Sequence, residues 1–333
     1  MPSRDLKKMV LYHQVGFSLW NMTDERVRDL KNLFPGIHFV NTENLDTLAE
    51  QIVDADALCS MRITSELFRA APKLKWIHSV AAGIGGLMIP EVLSSNVFIT
   101  NARGIFSTVM AEHTLGMILA FSRRLIDSYR FQQKHQWARD ALWALQPPMG
   151  EIRGKTLGII GYGSIGREIG RGARALGMKI LALKKDPSTG VEHADHVFTL
   201  AERNELLKES DFVVLALPHT PDTKQVLGEV EFNVMKPGAY VINIGRGKLI
   251  DEEALVRALR EGRIAGAGLD VFSTEPLPEG HPLWDQPNVL ITPHSAAIFP
   301  EYWSKSLALL GENIRRFRSG ETLENLVDKK RGY

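Results

Sequence analysis

The residues of this sequence best suited to chemistry are Arg246, Glu275 and His294, each following a separate short apolar run, with Asp270 still inside the run before Glu275. A guanidinium can hold a carboxylate through two parallel hydrogen bonds, so Arg246 suits an acid substrate. An imidazole exchanges protons near neutral pH, so His294 can give a proton to a carbonyl oxygen and take it back in the reverse direction. A carboxylate such as Glu275 can favour the imidazolium form through a charge pair. Asp270 can accept from an amide, such as the carboxamide of a nicotinamide. Together they suit reduction of a 2-ketoacid by hydride. Singly, each has a plainer role open to it: a surface ion pair for Arg246, a solvated loop charge for Glu275, a core histidine for His294.

Those residues need a scaffold, and the stretch Lys155 to Asp186 supplies its organising unit. Thr156 to Ile160 has the length and composition of a buried parallel strand. Gly161, Gly163 and Gly166 follow in the order G-x-G-x-x-G, and a helix is expected from about Ser164 to Leu176, with Gly177 as its C-cap. Met178 to Leu183 reads as a second strand. A glycine fingerprint between strand and helix is strong evidence for a dinucleotide. Gly161 allows the tight turn, Gly163 the approach of a pyrophosphate, and Gly166 close packing of helix on strand. The N–H groups near Ser164 and Ile165 then face the phosphates. The second strand ends in Leu183, Lys184 and Lys185, with Asp186 just beyond. A lysine there attracts a 2′-phosphate, where a carboxylate would hold a ribose diol. NADP(H) is therefore favoured as cofactor, with NAD(H) as the alternative in which Asp186 reaches the ribose.

Alternating strands and helices run through the rest of the chain, as a parallel, doubly wound sheet requires. Strands are expected at 9–12, 37–40, 57–60, 75–80 and 97–100, with helices at 23–33, 45–52 and 65–71 between them. After the strand at 75–80, the small residues Ala81 to Gly86 leave backbone N–H groups open to a small anion. Phe106 to Tyr129 reads as one long helix with Glu112 inside its apolar part, where a carboxylate would need a partner. Phe131 to Gly150 reads as a surface arm and a candidate subunit contact. Further strands are expected at 212–217, 239–244, 265–271 and 289–292, a helix at 252–261 and a terminal helix at 302–319. Pro218 and Thr223 lie in the loop at the crevice, and Gly245 stands just before Arg246; these three are expected beside the cofactor.

The chain has 333 residues, too many for one typical core, so two domains are expected. It is 44% hydrophobic and 24% charged, with a formal net charge of +1, which suggests neither nucleic acid nor an anionic membrane as partner. Cys59 is the only cysteine, which fits a reducing cytoplasm. The apolar window Thr114 to Phe121 is too short to span a bilayer, and the run after Arg4, Lys7 and Lys8 is broken by His13 and Gln14, unlike a signal peptide. No metal is expected.

In its motifs the chain resembles the D-isomer-specific 2-hydroxyacid dehydrogenase family, within it the glyoxylate and hydroxypyruvate reductases. The matching segments are Ala82–Ile84, Asn101–Gly104, Met110–Thr114, Gly154–Glu168, Leu217–Thr223, Asn243–Gly247, Leu269–Pro276 and Thr292–His294. The resemblance implies two doubly wound parallel-sheet α/β domains, with a Rossmann cofactor domain (102–298) inserted in a flavodoxin-like substrate domain (1–101 and 299–333). It implies that Arg246 binds the substrate's carboxylate and carbonyl, and that Glu275 and His294 are the acid–base pair. Gly83 and Ile84 would meet the carboxylate, Ser164 and Ile165 the pyrophosphate, Ile244 and Asp270 the nicotinamide half. Ser295, Ala296 and Ala297 would lie along the nicotinamide. A homodimer is implied. Lys184 stands where NAD-using members carry the ribose acid, Gly85 where many carry Asp, and Gly245 where Ala is commoner, a change expected to be tolerated. Glu275 departs from the formate dehydrogenase branch, which pairs its histidine with glutamine. Oxidation of phosphite or 3-phosphoglycerate is the rival chemistry. A corepressor-like NAD(H)-sensing protein is the rival class; such proteins tend to carry long tails, whereas this chain ends at Tyr333.

Overall fold

The computed structural model describes residues 5–13 and 20–330. Arg4, Gln14 and Tyr333, on which the expectations about the termini rest, lie outside them. The chain divides into two compact units, Met1–Ile105 with Phe299–Tyr333, and Phe106–Ile298.

In the first unit β1 (Lys8–Leu11), α1 (Asp24–Leu33), β2 (His38–Asn41), α2 (Leu45–Gln51), β3 (Ala57–Cys59), α3 (Ser65–Arg69), β4 (Trp76–His78), α4 (Pro90–Ser94) and β5 (Phe98–Thr100) alternate. The strands are short and apolar, and Met9, Val10, Leu11, Leu58, Cys59 and Ile77 are all fully buried. All pairings are parallel in the order β2-β1-β3-β4-β5, the flavodoxin-like arrangement. Helices start where a short polar side chain can take an orphan N–H. Asn44 Oδ1 accepts from Thr47 N at 2.9 Å, and Thr64 Oγ1 from Leu67 N at 3.2 Å. A helix at Tyr302–Ser319 closes the unit and stops at Gly320, in the left-handed region at φ +76°.

The second unit opens with α5 (Ser107–Ser122), α6 (Leu125–Gln133) and α7 (Arg139–Ala144). It continues through β6 (Thr156–Ile160), α8 (Ser164–Ala175), β7 (Lys179–Leu183), β8 (His196–Phe198), α9 (Arg203–Glu209), β9 (Phe212–Leu215), α10 (Glu229–Val234), β10 (Tyr240–Asn243), α11 (Glu252–Arg260), β11 (Gly266–Leu269) and β12 (Val289–Ile291). Its seven strands are all parallel, in the order β8-β7-β6-β9-β10-β11-β12, the doubly wound dinucleotide order extended by one strand. Parallel pairing sends every strand's carboxyl end to one edge, so the loops after β6, β7, β9, β10, β11 and β12 share it.

Two local expectations are corrected. The single helix over Phe106–Tyr129 is broken at Arg124, which adopts φ +52° and anchors its guanidinium to Asp127 Oδ2 at 3.3 Å and to the carbonyl of Pro147. Glu112 is exposed rather than buried, because the packed stripe of α5 is Ala111, Thr114, Met117, Ile118 and Phe121, and position 112 falls off it. The arm contains α7, and it leaves Trp137 96% and Trp143 76% exposed. The short β8, α9 and α10 were not anticipated from the sequence; none carries an apolar period long enough to stand out.

Candidate active site

All five residues of β6 are buried, and the chain must turn sharply on leaving it. Gly161 makes that turn at φ +104°, with Ala216 C 2.6 Å from where a Cβ would stand. A Cβ at Gly166 would lie 2.3 Å from Gly161 O, so the helix packs on the loop only as glycine. At Gly163 no atom lies within 4 Å of a Cβ position, which leaves the backbone open to a ligand. Ser164 and Ile165 begin α8, where the N–H groups have no intrahelical acceptor and the dipole favours an anion. These residues fit a pyrophosphate. Beside them Lys184 donates from Nζ to the carbonyl oxygens of Thr189 and Gly190, while Lys185 is exposed. The Asp186 carboxylate accepts from Ser188 N at 3.0 Å and Oγ at 2.6 Å. In the loop after β9, Thr223 Oγ1 donates to Pro218 O at 2.8 Å and accepts from Thr220 N at 2.7 Å, so the hydroxyl closes the loop on itself.

The residues after β10, β11 and β12 form a second cluster on the same edge. Asn243 staples the turn after β10: its Nδ2 donates to Arg246 O at 2.9 Å and its Oδ1 accepts from Gly245 N at 3.0 Å. Ile244 is buried, so only its main chain can face a ligand. An added Cβ at Gly245 would stand 2.8 Å from Leu249 Cδ1 and 2.9 Å from Leu217 O, so this packing suits glycine rather than the commoner alanine. Arg246 Nη1 donates to Gly245 O at 2.6 Å. Desolvation lowers the Arg246 pKa, and the charge of Glu275 opposes that shift, so the two groups sense each other. Gly247 lets the loop after β11 come close, since a Cβ there would fall 1.8 Å from Phe272 C.

Glu275 and His294 are in direct contact. Glu275 Oε2 lies 2.7 Å from His294 Nδ1, while Oε1 accepts from Phe272 N at 2.9 Å. An ionised carboxylate can only accept, so Nδ1 carries the hydrogen and Nε2 is the nitrogen that can exchange a proton. The residue is held at φ +51° by its own N–H, which donates to Asp270 O at 2.9 Å and Thr292 O at 3.0 Å. Asp270 has a role that the sequence did not suggest. Its buried carboxylate accepts from Thr292 Oγ1 at 2.6 Å, Ser295 N at 2.8 Å and Ala296 N at 3.1 Å, and so clamps the segment that carries His294. Ala296 faces the core with its N–H committed to that clamp; Ser295 keeps partial exposure. His113 joins from α5, with Nε2 3.2 Å from Thr292 Oγ1.

Gly83 and Ile84 belong to the first unit, in the loop after β4. The Ile84 side chain is 5% exposed, and its carbonyl accepts from Leu87 N at 2.8 Å. The loop is pinned by Asn101 Nδ2, which donates to Ala82 O at 2.8 Å. Anion contact there would come from main-chain N–H groups rather than side chains. Among the described residues no group of metal-ligating side chains is found, and no helix is long and apolar enough to cross a membrane.

Comparison with known proteins agrees with this architecture. Residues 115–296 match the model of the D-isomer specific 2-hydroxyacid dehydrogenase NAD binding domain. The chain is similar to a glyoxylate reductase of Thermococcus gammatolerans, 37% identical over 86% of either chain. A D-isomer specific 2-hydroxyacid dehydrogenase family protein of Aeromonas salmonicida superposes with a TM-score of 0.82 at 31% identity, over 98% of this chain and 100% of that one. An NADPH-dependent glyoxylate/hydroxypyruvate reductase of Sinorhizobium meliloti, solved with NADP and sulfate, also gives 0.82, at 26% identity over 98% of this chain and 100% of that one. With the domain model covering more than half of its length and a relative above 30% identity over most of it, the chain belongs to the D-isomer specific 2-hydroxyacid dehydrogenase family.

Proposed function

We propose that the protein reduces a small 2-ketoacid, glyoxylate or hydroxypyruvate, to the 2-hydroxyacid, with NADPH as the preferred reductant. The observation that carries this reading is the 2.7 Å contact of Glu275 with His294, on the sheet edge that also carries the glycine loop after β6. When bound, the nicotinamide supplies the hydride. His294 gives the carbonyl oxygen a proton from Nε2 and recovers it in the reverse reaction. Glu275 fixes the ring and its tautomer, and balances the charge of the imidazolium. Arg246 grips the substrate carboxylate and polarises the carbonyl. Gly83 and Ile84 add main-chain donors to the carboxylate. Ser164 and Ile165 hold the pyrophosphate at the start of α8.

The NADP(H) preference is supported by Lys184 at the end of β7, where an acid would serve NAD(H), and by the NADPH dependence named for the S. meliloti neighbour. On this assignment residues 102–298 bind the dinucleotide, and 1–101 with 299–333 shape the substrate site. A homodimer is supported by the exposed Trp137 and Trp143, since large aromatic side chains are enriched at subunit contacts. The single buried Cys59, whose thiol burial pushes up to about 12, suits the cytoplasm. Oxidation of NADPH and of NADH, measured against a panel of small 2-ketoacids, tests the reading. Turnover with glyoxylate or hydroxypyruvate, faster with NADPH at equal cofactor concentration, is expected. Binding of NAD(P)H without turnover of any ketoacid would reject it.

A further inference from the structure

In a doubly wound sheet the ligand crevice opens at the carboxyl ends of the strands, where the strand order reverses. The first unit is ordered β2-β1-β3-β4-β5, so that point lies between β1 and β3. Tyr12 directly follows β1, and Arg62 lies in the loop after β3. The two side chains meet. Arg62 Nη2 donates to Tyr12 Oη at 3.3 Å, and the guanidinium carbon stands 6.0 Å from the centre of the Tyr12 ring. Arg62 is exposed, and among the described residues no carboxylate pairs with it. Its other guanidinium N–H groups, and the hydrogen of the Tyr12 hydroxyl, are left to donate. The backbone that carries Arg62 is fixed, because Ser60 Oγ donates to Arg62 O at 2.8 Å and accepts from Arg62 N at 3.2 Å.

The loop after β4, which carries Gly83 and Ile84, is joined to this one. Ile63 N donates to Gly86 O at 3.0 Å. A Cβ on Gly86 would stand 2.6 Å from Met61 O and 3.0 Å from Arg62 Cβ, so only glycine lets the two loops lie this close. On the function proposed above, Gly83 and Ile84 meet the carboxylate of the ketoacid, and the adjoining loop is then placed to meet the substituent on C2. We propose that Arg62 and Tyr12 form a donor seat for an oxygen on that substituent, and that Arg62 selects 2-ketoacids oxygenated at C3. This inference rests on the proposed function and names the substrate class within it. Hydroxypyruvate has a C3 hydroxyl that can accept; pyruvate presents a methyl group there, and glyoxylate has no C3. A site built to hydrogen-bond a substrate oxygen discriminates against the analogue that lacks it, because its donors are then left unpaired.

Steady-state kinetics of the full chain with hydroxypyruvate, pyruvate and glyoxylate, at saturating NADPH, tests this. The wild type should show kcat/KM for hydroxypyruvate at least about 10-fold above that for pyruvate. Arg62→Met, which keeps the length of the side chain and removes its donors, should lower kcat/KM for hydroxypyruvate about 10-fold more than for glyoxylate. Tyr12→Phe should shift the same ratio in the same direction by less. A wild type that turns over none of the three ketoacids overturns the proposed function, and this inference with it. A wild type that reduces ketoacids without favouring hydroxypyruvate over pyruvate overturns the inference alone. So does an Arg62→Met variant that keeps the whole margin. Equal loss with all three substrates in Arg62→Met overturns it too, since the residue would then act on the part of the substrate that they share.

Discussion

At the scale of residues, the acid–base pair proposed at Glu275 and His294 divides its work by atom. Nδ1 is bound to the carboxylate, which leaves Nε2 as the nitrogen able to exchange a proton. Glu275 is itself oriented by the N–H of Phe272, so the ring is aimed through two successive hydrogen bonds. Glu275→Gln keeps the shape but not the charge, and an amide can present either its oxygen or its NH₂ to the ring. The variant should lower kcat for ketoacid reduction, by less than removal of the imidazole does, with the KM of NADPH unchanged. Steady-state kinetics at saturating NADPH checks this; an unchanged kcat would remove Glu275 from the acid–base pair. The left-handed backbone of His294 costs roughly 1 kcal/mol or more for a residue with a Cβ, and the Asp270 clamp on the same segment offsets it.

At the scale of elements, one edge of a seven-stranded parallel sheet collects the site, and close loop packing keeps it in register. The loop after β10 and the loop after β11 touch at Gly247, where even a methyl group would fall on the backbone of Phe272. Gly247→Ala should therefore destabilise by about 1–3 kcal/mol through overpacking and displace Arg246 from Glu275, lowering kcat/KM for the ketoacid. Thermal unfolding together with kinetics tests this; a variant with wild-type Tm would show that the loops can part freely. Much of this scale is legible in the sequence, because buried parallel strands write themselves as short apolar runs and the reactive residues follow those runs directly. β6 and the terminal helix Tyr302–Ser319 stand where their composition puts them. What escaped detection lacks such a signal. β8 has three residues, and the break at Arg124 depends on a tertiary bond to Pro147 O. The Asp270 clamp depends on register between β11 and β12, which no local pattern encodes.

At the scale of the whole molecule, acid should weaken the fold before it reaches the carboxylates. His78 is fully buried, its Nδ1 is 2.8 Å from Thr100 Oγ1, and its Nε2 has no partner among the described residues; burial lowers its pKa to about 3. Burial likewise lowers His13 to about 4. Both folded-state values lie below the unfolded value of about 6.5, so on acidification the unfolded chain takes up these protons first. Their stability is complete above about pH 6.5 and falls as pH drops below it, by about 2 kcal/mol for each histidine between pH 6.5 and 5. Urea unfolding of wild type and His78→Asn at pH 7 and pH 5 checks this. The variant should lose less between the two pH values; equal losses would show that His78 is not held neutral. The account as a whole stands on proton transfer at His294, and its most direct test is NADPH oxidation with glyoxylate and hydroxypyruvate by wild type and His294→Ala. A fall in kcat of about 10²–10⁴-fold with cofactor binding intact is expected. Turnover near the wild-type rate in the variant would contradict it.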